Sequence, residues 1–565
     1  MIGRMDLAGS LARLREQLAG AVFPIPPHAG QSDRDRLVNQ LDDYLIPRVE
    51  SLEAPLIGVV GGSTGAGKST VVNSLLGRQV SASSAIRPTT RRPLLIHHPD
   101  DASWFDGDRI LPGLARVRGR EGAAPGGIEL LAVPELPVGL ALIDAPDVDS
   151  VVDANRALAD QLLQAADLWL FATTAARYAD AVPWDFLSRA HARNAVVALI
   201  LNRVPADVRD EVDVDFRSKL AEAGLGESPV FTIEERPLRD GLLPPDAVAP
   251  ISEWLHGLAA DASSRAAVAK QTLSGAVDAA LVTSRTVATH AATQVDGVDH
   301  LADFVTAARS TTVGRVKEAC ADGTLLRGEV LARWQEFVGT GDFLRSVEAG
   351  VGRIRDRVGA FFRGKPTPAR ELEEVIEEGL QSLLVSEAFS ARTQIDRNWR
   401  AAPGGPELLT HIVLPSDAEL REEASQRVVR WQADLLAMIR DEGADRRLTA
   451  RVLSFGVNGL AVTLMVLIFA STGGITGGEV ATAAGAAVVG QKLLEAVFGE
   501  DAVRRMTKVS RESLVNNADE LFAWYLQPYT SSVDGLGASS DIGTRITDAA
   551  QDCRAALALM KAREW

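Results

Sequence analysis

The stretch GGSTGAGKST at 61–70 constrains this chain more than any other. Gly62 to Ser69 fit the pattern G-x-x-x-x-G-K-[S/T]. A short apolar run, APLIGVVG (54–61), leads into it, and an apolar helical sequence, STVVNSLLGRQ (69–79), leads out. A buried strand, a glycine turn and a helix start in that order point several backbone N–H groups into one concavity. The positive end of the helix dipole adds to them, which makes a cradle for phosphate. Glycines let the backbone come close to the ligand. The candidate phosphate-binding residues are Gly62, Ser63, Thr64, Gly65, Ala66, Gly67, Lys68, Ser69 and Thr70. Lys68 is expected to reach the β- and γ-phosphates and Ser69 to ligate Mg²⁺.

The flanks extend this pattern. Apolar runs at 91–98, 127–133, 139–146, 167–174, 195–204 and 228–233 read as strands. Helical sequence separates several of them, at 153–166 and near 207–223, so the fold class is α/β with a mostly parallel sheet flanked by helices. Residues 1–20 and 32–52 read as helices joined by the turn FPIPPHAG (23–30). Beyond about residue 250 strand-like runs give way to long helical stretches such as 278–298 and 369–389, the pattern of a helical bundle or stalk.

Bulk composition excludes several classes. The chain has 565 residues, 46% hydrophobic and 24% charged, enough apolar content for several packed cores and too much for a disordered chain. A net charge of −16 and 5% aromatics argue against a nucleic-acid partner. The two cysteines, Cys320 and Cys553, are far apart, which excludes a disulfide framework and suits a reducing compartment. The charged first twenty residues lack a signal-peptide core and read as an amphipathic helix.

The segment LIDAPDVDS (142–150) places Asp144 at the end of an apolar strand, where a carboxylate can hold Mg²⁺ through water. It serves equally as a Walker-B aspartate or as the first residue of D-x-x-G, whose glycine is replaced here by Asp147. Between the two motifs, RPTTRRPLL (87–95) offers threonines that can sense a γ-phosphate in a mobile loop. Thr90-Arg91-Arg92-Pro93-Leu94, following VVNSLLGRQ, resembles switch I of the dynamin superfamily of large GTPases. The resemblance implies GTP as substrate and Mg²⁺ as cofactor. It assigns Thr90 to the metal and the catalytic water, with Thr89 the neighbouring alternative. Lys68, Thr90 and Thr64 are then the catalytic candidates, and Ser69, Thr90 and Asp144 the metal ligands. Family members often carry polar P-loop residues that position water. Gly65 offers no side chain for that task and Thr64 one hydroxyl, so slow or partner-dependent hydrolysis is expected.

LILNRVPAD (199–207) falls where GTPases read the base through [N/T]-K-x-D. Asn202 matches, Arg203 replaces lysine, Pro205 sits at the aspartate position, and Asp207 comes two residues late. Guanine preference is weakened by this loop. Asp207 can restore it after a backbone shift, or simply cap the next helix.

Residues 452–470, VLSFGVNGLAVTLMVLIFA, carry no charge. Nineteen helical residues span about 28 Å against a hydrocarbon thickness of about 30 Å. The turn STGGITGG (471–478) and a weaker arm at 479–499 complete a candidate membrane hairpin. Arginines at 446, 447, 451, 504 and 505 flank its ends, which predicts a hairpin that enters and returns with both termini cytoplasmic. A buried hairpin in a helical core and shallow interfacial insertion are the alternatives.

The whole layout resembles bacterial dynamin-like proteins, most closely the actinobacterial members with membrane hairpins. That resemblance implies N-terminal neck helices (1–53), a GTPase domain (54–250), a helical neck and trunk (251–450), a membrane paddle (451–499) and returning helices (500–565). It implies a protein of the cell membrane that hydrolyses GTP to remodel, tether or septate lipid bilayers. Homo- or hetero-oligomers through the GTPase domains and partners among division or septation proteins follow from it too. A nucleotide-switched membrane scaffold with little hydrolysis and an ATP-driven transporter subunit are the competing readings. The pair His97-His98 reads as solvated and Trp334 as bundle core.

Overall fold

The computed structural model describes residues 2–81, 92–117, 127–149, 153–192, 194–326, 328–338, 367–443, 457–469, 488 and 490–562. These divide into two units. The first comprises 1–23, 27–295 and 538–565, and the second 24–26 and 296–537.

An eight-stranded sheet forms the centre of the first unit, with strands β1 (Leu56–Gly62), β2 (Leu94–His97), β3 (Ala115–Val117), β4 (Gly127–Ala132), β5 (Leu140–Asp144), β6 (Leu168–Thr174), β7 (Val196–Val204) and β8 (Val230–Glu234). Their order is β3-β4-β2-β5-β1-β6-β7-β8. Every neighbouring pair is parallel except β2 with β5. The unbroken apolar runs of β1, β5 and β6 are fully buried, as strands covered on both faces must be. β3 escapes the sequence reading because three residues, one of them Arg116, give no apolar run. The switch-like segment 82–91, with Thr89, Thr90 and Arg91, lies outside the described residues.

β1 sits between β5 and β6 with Val60 opposite Asp144, which brings the end of β5 beside the glycine turn. In open parallel sheets ligands bind beyond the carboxyl ends of such strands. N-terminal helix Ile2–Ala19 packs on C-terminal helix Ile542–Ala562. Leu7, Leu11, Leu14 and Leu18 form one stripe at alternating four- and three-residue spacing, and all are buried. They face a stripe that includes Ile546, Cys553 and Leu557. Both cysteines are free and buried, and burial pushes each thiol up to about 12. His97 is buried against Phe105 rather than solvated.

The second unit is helical. Helices Thr367–Ala401, Asp417–Glu442, Val457–Phe469 and Glu500–Asp534 pack around Trp399, Trp431 and Tyr525, and Trp334 is core as expected. Each large ring settles its polar atom. Trp431 Nε1 donates to the Ser510 carbonyl at 2.8 Å, and Trp399 Nε1 to that of Leu301 at 3.1 Å. Ser416 and Glu419 form a capping box that starts Asp417–Glu442.

The apolar segment departs from the membrane expectation. Within it, the described residues 457–469 are helical. Among the described residues no helix is long and apolar enough to cross a membrane. Leu460, Leu464, Met465, Ile468 and Phe469 are buried, and the Phe469 ring lies 5.9 Å from that of Trp431. The rest of the first arm, the turn 471–478 and most of the second arm lie outside the described residues. Composition alone cannot separate a membrane arm from a core helix; the surrounding helices make it core here. Leu467 is half-buried, so the sharper probe is Leu464, which has no exposed surface. Leu464→Arg buries an unpartnered charge and is expected to lower stability by about 3–5 kcal/mol. Denaturant unfolding of the full chain checks this, and a variant as stable as wild type would restore the lipid-facing reading.

Candidate functional site

The glycine turn is built as its sequence dictates. Gly62 has φ 140°, and a Cβ there would lie 1.9 Å from the Ala172 carbonyl oxygen. Gly67 has φ 84°, and its Cβ would lie 2.5 Å from Asn202 Nδ2. Both positions exclude side chains on backbone and steric grounds. Helix Lys68–Leu75 begins directly after Gly67, so its first N–H groups face the loop.

Lys68 is buried and uses its ammonium three times. It donates to the carbonyls of Gly62 at 3.0 Å and Ser63 at 3.1 Å, and it pairs with the Asp147 carboxylate. Ser69 Oγ donates to Asp144 Oδ2 at 2.7 Å, and Ser81 Oγ donates to the same oxygen. Asp144 Oδ1 is buried with no hydrogen-bond partner. Such an oxygen beside a serine hydroxyl at the phosphate cradle fits Mg²⁺, which takes one or two protein oxygens and completes its shell with phosphate and water. Among the described residues no cluster of three His, Cys, Asp or Glu could hold a metal, so a cation here would depend on that shared coordination. The Ser63 hydroxyl is likewise buried without a partner. Thr70 lies in the first turn of the same helix as Lys68 and Ser69, and its carbonyl accepts from Ser74 Oγ at 2.7 Å.

Asn202, at the end of β7, is buried and donates to the Ala66 carbonyl at 2.9 Å. It braces the glycine turn. Arg203 is exposed with φ 54°. Asp207 is exposed and does not cap the following helix, whose N-cap is Val208 without a side-chain bond.

A further group of residues escaped sequence reasoning. Asp149 Oδ1 accepts from Thr64 N at 2.6 Å and from Thr64 Oγ1 at 2.8 Å. Arg177 donates to the Thr64 carbonyl and to Asp149 Oδ2, both at 2.8 Å, and to Asp180. Burial pushes the Asp149 carboxyl up, but the Thr64 hydrogen bonds and Arg177 together hold it below the usual carboxylate range. Thr64 is thus fixed on three sides. The available signal was a second acidic residue two positions after Asp147 in LIDAPDVDS; its cation, Arg177, comes from the turn after β6.

Residues 57–204, the segment that holds the glycine cradle, match the family model described as the dynamin family. Among solved structures, the chain is similar to an oligomerised bacterial dynamin pair described as a mechanism for long-range sensing and tethering of membranes. Identity is 10%, the TM-score 0.41, and the match covers 93% of this chain and 95% of that one. The LeoA bacterial dynamin GTPase from ETEC is 12% identical with a TM-score of 0.24, covering 93% of this chain and 98% of its own. Toc33 from Arabidopsis thaliana, in complex with Mg²⁺ and GMPPNP, is 14% identical with a TM-score of 0.24, over 40% of this chain and 94% of that one. No curated protein sequence matches the chain.

Proposed function

We propose that the protein hydrolyses GTP in its dynamin-family domain and uses the cycle to remodel or tether a membrane. One observation carries the nucleotide half: Lys68, Ser69 and the buried, unpartnered Asp144 oxygen converge on one glycine cradle inside the segment that matches the family. In this reading the cradle N–H groups and Lys68 hold the phosphates, and Ser69 and Asp144 would hold Mg²⁺, which would supply charge neutralisation at the phosphates. Thr90 orders with the γ-phosphate and orients water, while Thr64 is kept in place by Asp149 and Arg177. Asn202 supports the base pocket, with Arg203 covering the base and Asp207 reading it.

The membrane half rests on the family resemblance. Residues 54–250 then act as the motor, with 1–53, 251–450 and 500–565 as neck and trunk. Pairing of GTPase domains joins two chains at the cytoplasmic face of the cell membrane, and the reading extends to division and septation. A nucleotide-switched scaffold with little turnover is the second reading, favoured by Asp147 at the place of a small glycine and its contact with Lys68. Both are tested with full-length protein and anionic liposomes. The expected result is that GTP displaces a fluorescent GDP analogue at about tenfold lower concentration than ATP does, since each missing base contact costs roughly that factor. Turnover should rise with lipid, and the protein should float with the liposomes. Equal competition by ATP would defeat the guanine assignment. Binding and flotation without turnover would select the scaffold.

A further inference from the structure

We infer that the segment after β5 carries its own phosphate substitute: the Asp147 carboxylate holds the Lys68 ammonium, and a nucleotide must displace it to bind. The inference rests on the nucleotide reading of the cradle. An ammonium has three donors. Those of Lys68 go to the Gly62 carbonyl, the Ser63 carbonyl and Asp147. Only the last partner is an anion, and it comes from 79 residues further along the chain. A phosphate oxygen reaching Lys68 competes with that carboxylate for the same donor.

The neighbouring residues aim Asp147 at the lysine. Ala145 N donates to the Val60 carbonyl and Val148 N to the Gly62 carbonyl, both at 3.3 Å, so the segment is stitched to β1 and the start of the cradle. Ala145 and Val148 are buried, while the Asp147 side chain is 37% exposed. A carboxylate with that much access to water can leave its partner without being stranded, which makes the contact reversible. Two positions on, Asp149 holds the backbone N–H and hydroxyl of Thr64. One short segment therefore puts two carboxylates on the turn that binds phosphate. Arg177 pairs with the second of them. Asp147 acts as a gate because it takes the charge a phosphate needs.

A gate of this kind lowers apparent affinity by the fraction of molecules in which Lys68 is free. Lys68 is needed for diphosphate and triphosphate alike, so opening the gate should help both equally. Direct repulsion would act mainly on the third phosphate. The test measures binding of a fluorescent GDP analogue and a non-hydrolysable GTP analogue to full-length wild type, Asp147→Asn, Asp147→Gly and Lys68→Ala. Asp147→Asn is close to isosteric, and thermal unfolding of each variant reports its folding. The gate predicts that both Asp147 variants bind both nucleotides about five- to tenfold more tightly, by one common factor. A gain confined to the GTP analogue, no gain, or a loss overturns the inference. If wild type binds and Lys68→Ala does not, while the Asp147 variants show no gain, only the gate fails. If no variant binds either nucleotide, the nucleotide reading fails and takes the gate with it.

Discussion

Lys68→Ala is expected to abolish measurable triphosphate binding while leaving the fold intact. The lysine supplies a flexible positive charge inside the cradle, beside the field of the backbone N–H groups. A charge-assisted hydrogen bond contributes about 1.5–3 kcal/mol, and an ammonium bridging two phosphates makes two, so affinity should fall about 10²- to 10⁴-fold. The fold should tolerate the change. The turn is shaped by Gly62 and Gly67 and braced by Asn202, none of which needs the lysine. Asp147 is partly exposed and can be solvated once its partner is gone. Titration calorimetry with a non-hydrolysable GTP analogue, beside thermal unfolding, separates the two effects. Unchanged affinity would remove the phosphate site from this loop. Combining Lys68→Ala with Asp147→Asn should show no gain from the second change, because both ends of one contact are then gone.

The parts of the site that can be read in the sequence are those held within one short segment. Gly62 to Ser69 carry their geometry in contiguous residues, and Asp144 announces itself at the end of an apolar strand. The strands of the sheet other than β3 are visible because a buried parallel strand is a bare apolar run. The unread parts depend on tertiary approach. Arg177 meets Thr64 across 113 residues, and Asp147 meets Lys68 across 79. Nothing local in either partner marks the pair. The apolar stretch at 452–470 is ambiguous for a different reason. Hydropathy reports that a helix avoids water and is silent on whether lipid or protein surrounds it. Among the described residues, helix Val457–Phe469 has Trp431 against it, a fact that composition does not hold.

The same limit hides the interaction on which the first unit is expected to depend most. Arg48→Ala is expected to destabilise that unit by about 3–5 kcal/mol, a large share of the 5–15 kcal/mol typical of a domain. Arg48 closes helix Ile46–Glu50, and Asp167 begins the approach to β6, 119 residues later. The Asp167 side chain has no exposed surface. Its oxygens accept from Tyr44 Oη at 3.0 Å, from Arg48 Nε at 2.8 Å and from Ile57 N at 2.8 Å, and Arg48 makes a second contact through Nη2. The guanidinium also donates to the Ala54 carbonyl at 3.1 Å. Burial pushes the Arg48 pKa down, yet the Asp167 charge more than offsets this and holds it above the ordinary arginine value. Removing the arginine leaves a carboxylate in the interior with neutral donors alone. It also removes a tie between helix Ile46–Glu50 and the approach to β6, whereas the bond from Asp167 N to the Ile57 carbonyl at 2.8 Å does not involve the arginine. Asp167→Asn in the Arg48→Ala background keeps an acceptor for Ile57 N and removes the stranded charge, so it should recover part of the loss. Urea unfolding followed by the fluorescence of buried Trp169, whose Nε1 donates to Leu163, reads this region. An Arg48→Ala midpoint within error of wild type would show that the pair contributes nothing net. A double variant less stable than the single one would show that the loss comes from missing guanidinium hydrogen bonds rather than from the unpaired charge.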